Sequence, residues 1–213
     1  QYIDMAQYES IVHMTGTAVL EYTALGRNRN RTGNRSENAA PQGVYPCKSV
    51  PLNDRIEDRW CAISVATDEE WQSLCAVLDR RELADDPRFC KFEARKQHED
   101  ELDVLIGART AELLAEDVML RLQEAGVAAG VVQNSKDLMD ADPQMAATGH
   151  YRRVDHAETG PTVYDGPPFD LSATPLQVKP APLLGEHNEY FFREILDLTD
   201  DEITAGYVEG AIA

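Results

Sequence analysis

Residues 60–78 of the chain are WCAISVATDEEWQSLCAVL, and the fold prediction starts from this stretch. The apolar run at Trp60–Val65 is short and rich in strand-forming residues, which predicts a β-strand. Thr67-Asp68-Glu69-Glu70 is a capping box, because its first and last side chains satisfy free backbone N–H groups at a helix start. An amphipathic helix is then predicted by an apolar stripe at i, i+3, i+4 and i+7, formed by Trp71, Leu74, Cys75 and Leu78.

The segments beside this stretch continue the alternation of strands and helices. A polar turn at Asn53-Asp54 joins two strand candidates into a hairpin. Gly126 ends a helix and precedes a short, fully apolar run that is typical of a buried strand. The predicted elements of this central region are strands at 44–47, 60–65 and 127–132 and helices near 92–108 and 111–125.

The two ends of the chain differ in character from the centre. Residues 3–24 predict a helix that ends at Gly26. Residues 26–43 contain almost no apolar side chains, which predicts a linker or a mobile loop. After Pro143 the predicted elements are strands at 150–156, 161–164 and 169–172, a helix at 186–198 and another that starts at the capping box Thr199–Glu202.

The composition is that of a globular protein and excludes two classes of partner. Apolar residues make up 43% of the chain, and the mean hydropathy is -0.43. A net charge of -18 repels phosphates, so neither nucleic acid nor an anionic membrane is an expected partner. No apolar run approaches the roughly 18 residues that a membrane helix requires. We therefore expect a cytoplasmic protein.

One segment is locally basic. Residues 27–35, RNRNRTGNR, contain four arginines and no acidic residue. Two interpretations stay open at this point. The segment is either a solvated linker that balances an acidic neighbour, or a contact to a phosphate or to another subunit.

Few residues form the arrangements that mark a catalytic or metal centre. The four cysteines include no C-x-x-C and the five histidines no H-x-x-x-H, so we expect reduced thiols and no metal site. Ser10 and His13 lie one helical turn apart, without an aspartate to complete a triad. His150 and His156 flank a strand that carries Asp155, and either could transfer a proton, although a structural role is the simpler interpretation.

Six phrases along the chain carry a family resemblance. They are QYID at 1–4 with Ser10, GVYPCK at 43–48 with WCAI at 60–63, ADDPRF at 84–89, AGVAAGVV at 125–132, DPQ at 142–144 and PLLGEHN at 182–188. In this order and spacing they resemble the class III CoA-transferase family. The family includes formyl-CoA, carnitine and bile-acid CoA-transferases and methylacyl-CoA racemases.

The resemblance implies an enzyme that moves CoA between an acyl-CoA and a carboxylic acid. In the family an aspartate attacks the thioester, giving a mixed anhydride and then an enzyme-bound CoA thioester that the acceptor carboxylate resolves. That aspartate precedes the family's counterpart of Gln1, so no catalytic residue is assigned here, Asp4 included. We expect this chain to be a fragment that is inactive alone. Coenzyme A is a substrate, and no cofactor is expected.

The resemblance also implies an architecture. It is an α+β small domain plus carboxy-terminal portions of an α/β Rossmann-like large domain, in a homodimer whose subunits interlock. Residues 1–43 would be a helix and linker of the large domain, 44–145 the small domain, and 146–213 the return to the large domain. The apolar faces of the two outer segments would then be exposed in the isolated chain.

The stretch Asn34–Gly43 corresponds to a glycine-rich flap in formyl-CoA transferases, where backbone N–H groups can reach developing charge. Here the stretch is NRSENAAPQG, without the glycine run, which favours a different acyl group. If the loop covers the active site, Asn38 and Gln42 are the side chains that we expect to bind substrate.

Three functions stay open from the sequence. The first is a CoA-transferase, and the second is an acyl-CoA racemase of the same family that uses an upstream His/Asp pair. The third is a non-catalytic fragment or a subunit that needs a partner chain. The residues that would separate the first two precede the family's counterpart of Gln1.

Overall fold

The computed structural model describes Tyr2 and residues 4–212, and the chain divides into two compact units, Gln1–Val132 and Gln133–Ala213. Each unit contains one small antiparallel sheet, so the architecture is mixed α/β with small sheets. The small-domain limits at 44–145 stay a prediction. The same holds for the assignment of residues 1–43 and 146–213 to a Rossmann-like large domain.

A three-stranded sheet in the order β1-β2-β3 organises the first unit. Its strands are β1 (Gln42–Leu52), β2 (Arg55–Ser64) and β3 (Ala128–Val131). β1 and β2 form the predicted hairpin, which turns at Asn53 with a φ of 53°. Asparagine adopts this left-handed conformation more readily than most residues. Both strands are longer than predicted, because backbone pairing continues through polar residues near the turn.

Two helices pack on one face of this sheet, and a third packs against one of them and completes the same core. They are α3 (Asp68–Val77), α5 (Glu99–Thr110), which contacts β1, and α6 (Ala115–Glu124), which contacts β2 and β3. The core between the layers contains Tyr45, Cys47, Cys61, Ile63, Trp71, Leu74, Cys75, Leu102, Ile106, Val118 and Leu122. The candidate site lies on the other face of the sheet, which these three helices do not cover.

Local signals account for some helix ends in the first unit. The predicted capping box is present, since Thr67 and Glu70 each accept the other's backbone N–H. Gly126, with a φ of 79°, follows the end of α6. The prediction of one helix over 92–108 is wrong, because His98 divides it into α4 (Phe92–Gln97) and α5. The His98 backbone leaves the helical range, at φ -117° and ψ 26°, while its ring nitrogen Nδ1 lies 2.9 Å from the Ala94 carbonyl oxygen.

The amino-terminal helix is also divided. Instead of one helix over 3–24, the chain forms α1 (Gln7–Met14) and α2 (Gly16–Leu25), separated at Thr15; Ile3, the predicted start, is outside the described residues. Gly26 follows α2 in the expected left-handed conformation. Neither helix buries a side chain, and the exposed apolar residues are Tyr8, Ile11, Val12, Met14, Val19, Leu20, Tyr22 and Leu25.

No helix in the described part of the chain is long and apolar enough to cross a bilayer.

The second unit begins with two short helices, α7 (Ser135–Asp140) and α8 (Pro143–Thr148). They are followed by the hairpin of β4 (Tyr151–His156) and β5 (Gly160–Asp165), which confirms two predicted strands. The unit ends with α9 (Asn188–Tyr190), a π-helical turn at Phe191–Ile195 and α10 (Asp200–Glu209).

Two predictions fail in this unit. Residues 169–172 do not form a strand, because Pro167 and Pro168 precede them and no neighbouring strand offers a ladder. The helix predicted over 186–198 starts at Asn188 and widens into a π-helical turn, in which the Leu196 N–H donates to the Phe191 carbonyl. The capping box at Thr199 and Glu202 is confirmed at the start of α10.

Candidate functional site

The loop at residues 34–43 is held at its base by the Gln42 side chain. Its amide Nε2 donates to the Asn34 carbonyl oxygen at 3.1 Å, and its Oε1 accepts from the Ser64 hydroxyl at 3.2 Å. The side chain therefore joins the first residue of the loop to strand β2. This use of the amide is structural, and it leaves Gln42 lining the adjacent cleft.

The second half of the loop is anchored through its backbone. The Ala40 N–H donates to the Val65 carbonyl at 2.9 Å, and the Val65 N–H donates to the Pro41 carbonyl at 2.9 Å. Ala39, Ala40 and Pro41 are buried. The anchored backbone extends the sheet edge by these two bonds, so this half is not the mobile loop that its composition predicts.

The tip of the loop is exposed. Glu37 and Asn38 lie on the surface, and the Asn38 N–H donates to the Ser36 hydroxyl at 3.1 Å. Among the described residues, no hydrogen-bond partner is found for the Asn38 side-chain amide. Its two N–H donors and its carbonyl oxygen are therefore available to a ligand.

An open cleft of about 510 Å³ lies between this loop and the outer face of the sheet. Register places Val44 beside Ala62 and Ala62 beside Gly130, so small side chains form the floor. The polar side chains that line the cleft are Asn34, Gln42 and Ser64, all of them neutral. The cleft can accommodate a small, largely apolar group with a few hydrogen-bond partners at one end.

The basic segment is largely neutralised by carboxylates. Arg27 and Arg29 pair with Glu21, and Arg27 also pairs with Glu37. Arg35 pairs with Asp100 at 2.5 Å. These ion pairs favour the linker that balances an acidic neighbour over a phosphate contact. Among the described arginines of this segment, Arg31 alone shows no carboxylate partner.

A buried tyrosine ties the basic segment to the core. The Tyr45 hydroxyl donates to Asp103 at 2.7 Å, and Arg35 donates to the other Asp103 oxygen at 3.2 Å. Burial and the Asp103 carboxylate raise the pKa of Tyr45. Hydrogen bonds to Asp100 and then to Asp103 raise the pKa of Arg35. The loop is thus connected to α5 through an ordered network.

The remaining reactive side chains have structural surroundings. Burial raises the pKa of the Cys47 thiol to about 11 and that of the Cys61 and Cys75 thiols to about 12, so these free thiols stay protonated near neutral pH. His156 Nδ1 accepts backbone N–H groups of the hairpin turn, at 3.2 and 3.3 Å. The described residues form no group of three or more His, Cys, Asp or Glu that could hold a metal ion.

The sequence located the loop but missed Arg95, which is completely buried and donates to the Ala40 carbonyl. The sequence does contain a pattern that indicates the burial of Arg95. Arg95 shares the helical spacing of Leu102 and Ile106, so a charged residue occupies a position of the apolar stripe.

The family model of CoA-transferase family III matches residues 1–188, and the chain belongs to this family. It is 32% identical over 204 residues to the succinyl-CoA–D-citramalate CoA-transferase of Chloroflexus aurantiacus, a match that covers 95% of this chain and 48% of that protein. It is 33% identical over 199 residues to the succinate–glutarate CoA-transferase of Agrobacterium fabrum, covering 92% and 46%.

Solved structures agree with this assignment. A CaiB/BaiF family protein from Brucella suis is similar with a TM-score of 0.73 at 27% identity, over 91% of this chain and 48% of that one. The chain therefore spans about half the length of the relatives that it matches.

Proposed function

We propose that the chain is the small domain and carboxy-terminal part of an enzyme that moves CoA between an acyl-CoA and a carboxylic acid. One observation carries the proposal: in a chain of CoA-transferase family III, a loop anchored at its base by Gln42 borders an open, neutral cleft. The relatives named above for succinyl-CoA, D-citramalate, succinate and glutarate make short carboxylic acids the first substrates to test.

The proposed chemistry is nucleophilic catalysis by a carboxylate. An aspartate from the part of the full-length enzyme that this chain lacks attacks the thioester carbonyl and expels CoA thiolate, which leaves a mixed anhydride. The thiolate then attacks the aspartyl carbonyl, releasing the first carboxylate and leaving an enzyme-bound CoA thioester. The acceptor carboxylate attacks that thioester and expels CoA thiolate, which leaves a second mixed anhydride. The thiolate then attacks the acceptor's carbonyl in this anhydride, forming the product thioester and releasing the aspartate carboxylate. These steps use coenzyme A as a substrate and need no resident cofactor.

The loop would contribute to this reaction as a cover with hydrogen-bond donors. Each tetrahedral intermediate carries negative charge on oxygen, and donors aimed at that oxygen stabilise it. The Asn38 amide is available for such a contact at the exposed tip. Gln42 would act at the base, where its two bonds hold the loop against β2 beside the cleft.

The exposed helices support a larger assembly. The apolar side chains of α1 and α2 include Tyr8 at 78%, Leu20 at 68% and Leu25 at 73% exposure. Apolar patches of this kind mark interaction surfaces. We propose that they pack against the remainder of the full-length enzyme, which assembles as a homodimer.

The test is an assay of CoA transfer from succinyl-CoA to a small carboxylic acid, with the products separated by chromatography. The chain is assayed alone and together with the polypeptide encoded immediately upstream of residue 1. We expect turnover only in the mixture, because the nucleophile comes from the added part. Turnover by the chain alone would refute the assignment of the aspartate.

Two variants test the loop in the active mixture. Asn38→Ala is expected to lower kcat/KM by about 100–1,000-fold, in line with the loss of one donor to an oxyanion. Gln42→Ala is expected to lower it as well, through a displaced loop. Glu37→Ala alters the exposed neighbour of Asn38 and serves as the control, with unchanged turnover. Wild-type rates in both loop variants would contradict the proposed role of the loop.

A further inference from the structure

Arg95 lies at the point where the loop meets the core. It is 0% exposed, and its Nε donates to the Ala40 carbonyl oxygen at 2.7 Å. Its Nη1 donates to Asp68 at 3.0 Å and to the Phe89 carbonyl at 3.1 Å. One buried guanidinium therefore connects the loop, the first turn of α3 and the turn before α4.

Packing alone does not account for an arginine at this position. Removing a guanidinium from water is costly, and an apolar residue of similar volume often serves a core as well or better. The guanidinium carbon lies 5.5 Å from the centroid of the Trp71 ring, a face against which a methionine could also pack, without the cation–π attraction. What an apolar residue does not supply is a donor for the buried Ala40 carbonyl.

The neighbouring residue holds the other side of the loop tip. Lys96 Nζ donates to the Ser36 carbonyl oxygen at 2.7 Å and to Glu99 at 2.7 Å. Arg95 and Lys96, adjacent in α4, thus fix carbonyl groups at Ala40 and Ser36. Asn38 lies midway between these two fixed points.

We propose that Arg95 is a positioning residue, which by fixing the Ala40 carbonyl sets the place of Gln42 at the cleft and of the loop tip that carries Asn38. The inference rests on the proposed function, because the loop matters to catalysis only if it covers the reacting acyl-CoA. Arg95 touches no substrate in this arrangement. It acts through the loop, with Lys96 as the second anchor.

Amide hydrogen exchange in the chain itself tests the anchoring without any activity. In Arg95→Met, we expect exchange in peptides that cover residues 36–43 to be about tenfold faster than in wild type, since an unmet buried carbonyl destabilises the closed loop. Arg95→Lys keeps a donor and should restore most of the protection. Arg59→Met is the matched control, because Arg59 is also buried, at 7% exposure, but pairs with Glu116 on α6.

Loop exchange equal to wild type in Arg95→Met would overturn the proposal. So would acceleration of the same size throughout β1 and β2, or equal acceleration of the loop in Arg59→Met, because either indicates general destabilisation. If Arg95→Met does not fold, Lys96→Met provides the second variant. It should accelerate exchange at Ser36–Asn38 alone, and unchanged exchange there would contradict the two-anchor arrangement.

The kinetic arm uses the mixture that includes the upstream polypeptide. Arg95→Met is expected to lower kcat/KM about tenfold, with recovery in Arg95→Lys and no loss in Arg59→Met. Faster loop exchange with unchanged kcat/KM would show that Arg95 holds the loop but does not position catalysis. If wild type shows no CoA transfer at all, the proposed function fails, while the exchange experiment still decides whether Arg95 anchors the loop.

Discussion

Replacing Tyr45 by phenylalanine should destabilise the first unit by removing one buried hydrogen bond. Tyr45 is 3% exposed, and its hydroxyl donates to Asp103 at 2.7 Å. Burial raises the pKa of this hydroxyl further above neutrality, so it is a protonated donor under all ordinary conditions. Phenylalanine keeps the ring in place and creates no cavity.

The magnitude follows from the surroundings of Asp103. A hydrogen bond to a charged group contributes about 1.5–3 kcal/mol. The Asp103 side chain is 35% exposed and also accepts from Arg35 at 3.2 Å, so water and the guanidinium compensate for part of the loss. We therefore expect the free energy of unfolding to fall by about 1–2 kcal/mol, which extends below that range because of this compensation.

The assay is urea unfolding followed by tryptophan fluorescence. Both tryptophans of the chain, Trp60 and Trp71, lie in the first unit, so the signal reports on that unit. With a urea dependence of about 2 kcal/mol per M, the middle of the typical range, the midpoint should fall by roughly 0.5–1 M. Tyr22→Phe is the control, because Tyr22 is 60% exposed. A midpoint for Tyr45→Phe that equals the control would refute the reasoning.

Two further predictions concern titrating groups. In the native chain at pH 7.5 an alkylating reagent should label Cys90, which is half-buried, and labelling of the three buried cysteines should require denaturation. Rapid labelling of a buried thiol in the native chain would contradict the raised pKa values of Cys47, Cys61 and Cys75. Lys91 and then Arg95 lower the pKa of Asp68, so its contribution to stability is present above the unfolded-state pKa and is lost as the pH falls through the folded value. Asp68→Asn should therefore flatten the decline of the urea midpoint between pH 5 and 2, and an unaltered decline would exclude this carboxylate as a contributor.

The predictions that succeeded depend on neighbours in sequence. The capping boxes at Thr67 and Thr199 and the stops at Gly26 and Gly126 involve contacts within a few residues, so a short window contains all the groups that interact. The β1–β2 hairpin was predictable for the same reason. The helix prediction over 92–108 failed although its cause is also local, because the backbone of His98 leaves the helical range at φ -117° and ψ 26°, and periodicity alone does not report such a break.

The position of the candidate site in the sequence was predictable, but the anchoring of its loop was not. The resemblance located the loop and its side chains Asn38 and Gln42, whose roles in catalysis stay predictions. The polar composition of the loop indicated a linker or a mobile segment, yet groups on β2 and α4, distant in sequence, anchor it. Those groups lie 22 to 60 positions away in sequence, and no local pattern relates them to the loop.

The sequence by itself determined the family, the α/β character and the local boundaries of this protein, because these follow from motifs, periodicity and caps that act over short spans. Only the tertiary structure decided that an isolated arginine in an apolar stripe reaches the Ala40 carbonyl. It also decided that the basic segment meets carboxylates of α2 and α5. Such pairings depend on the folded chain. A polar group that is exposed can bond to water, whereas a buried polar group without a partner costs free energy.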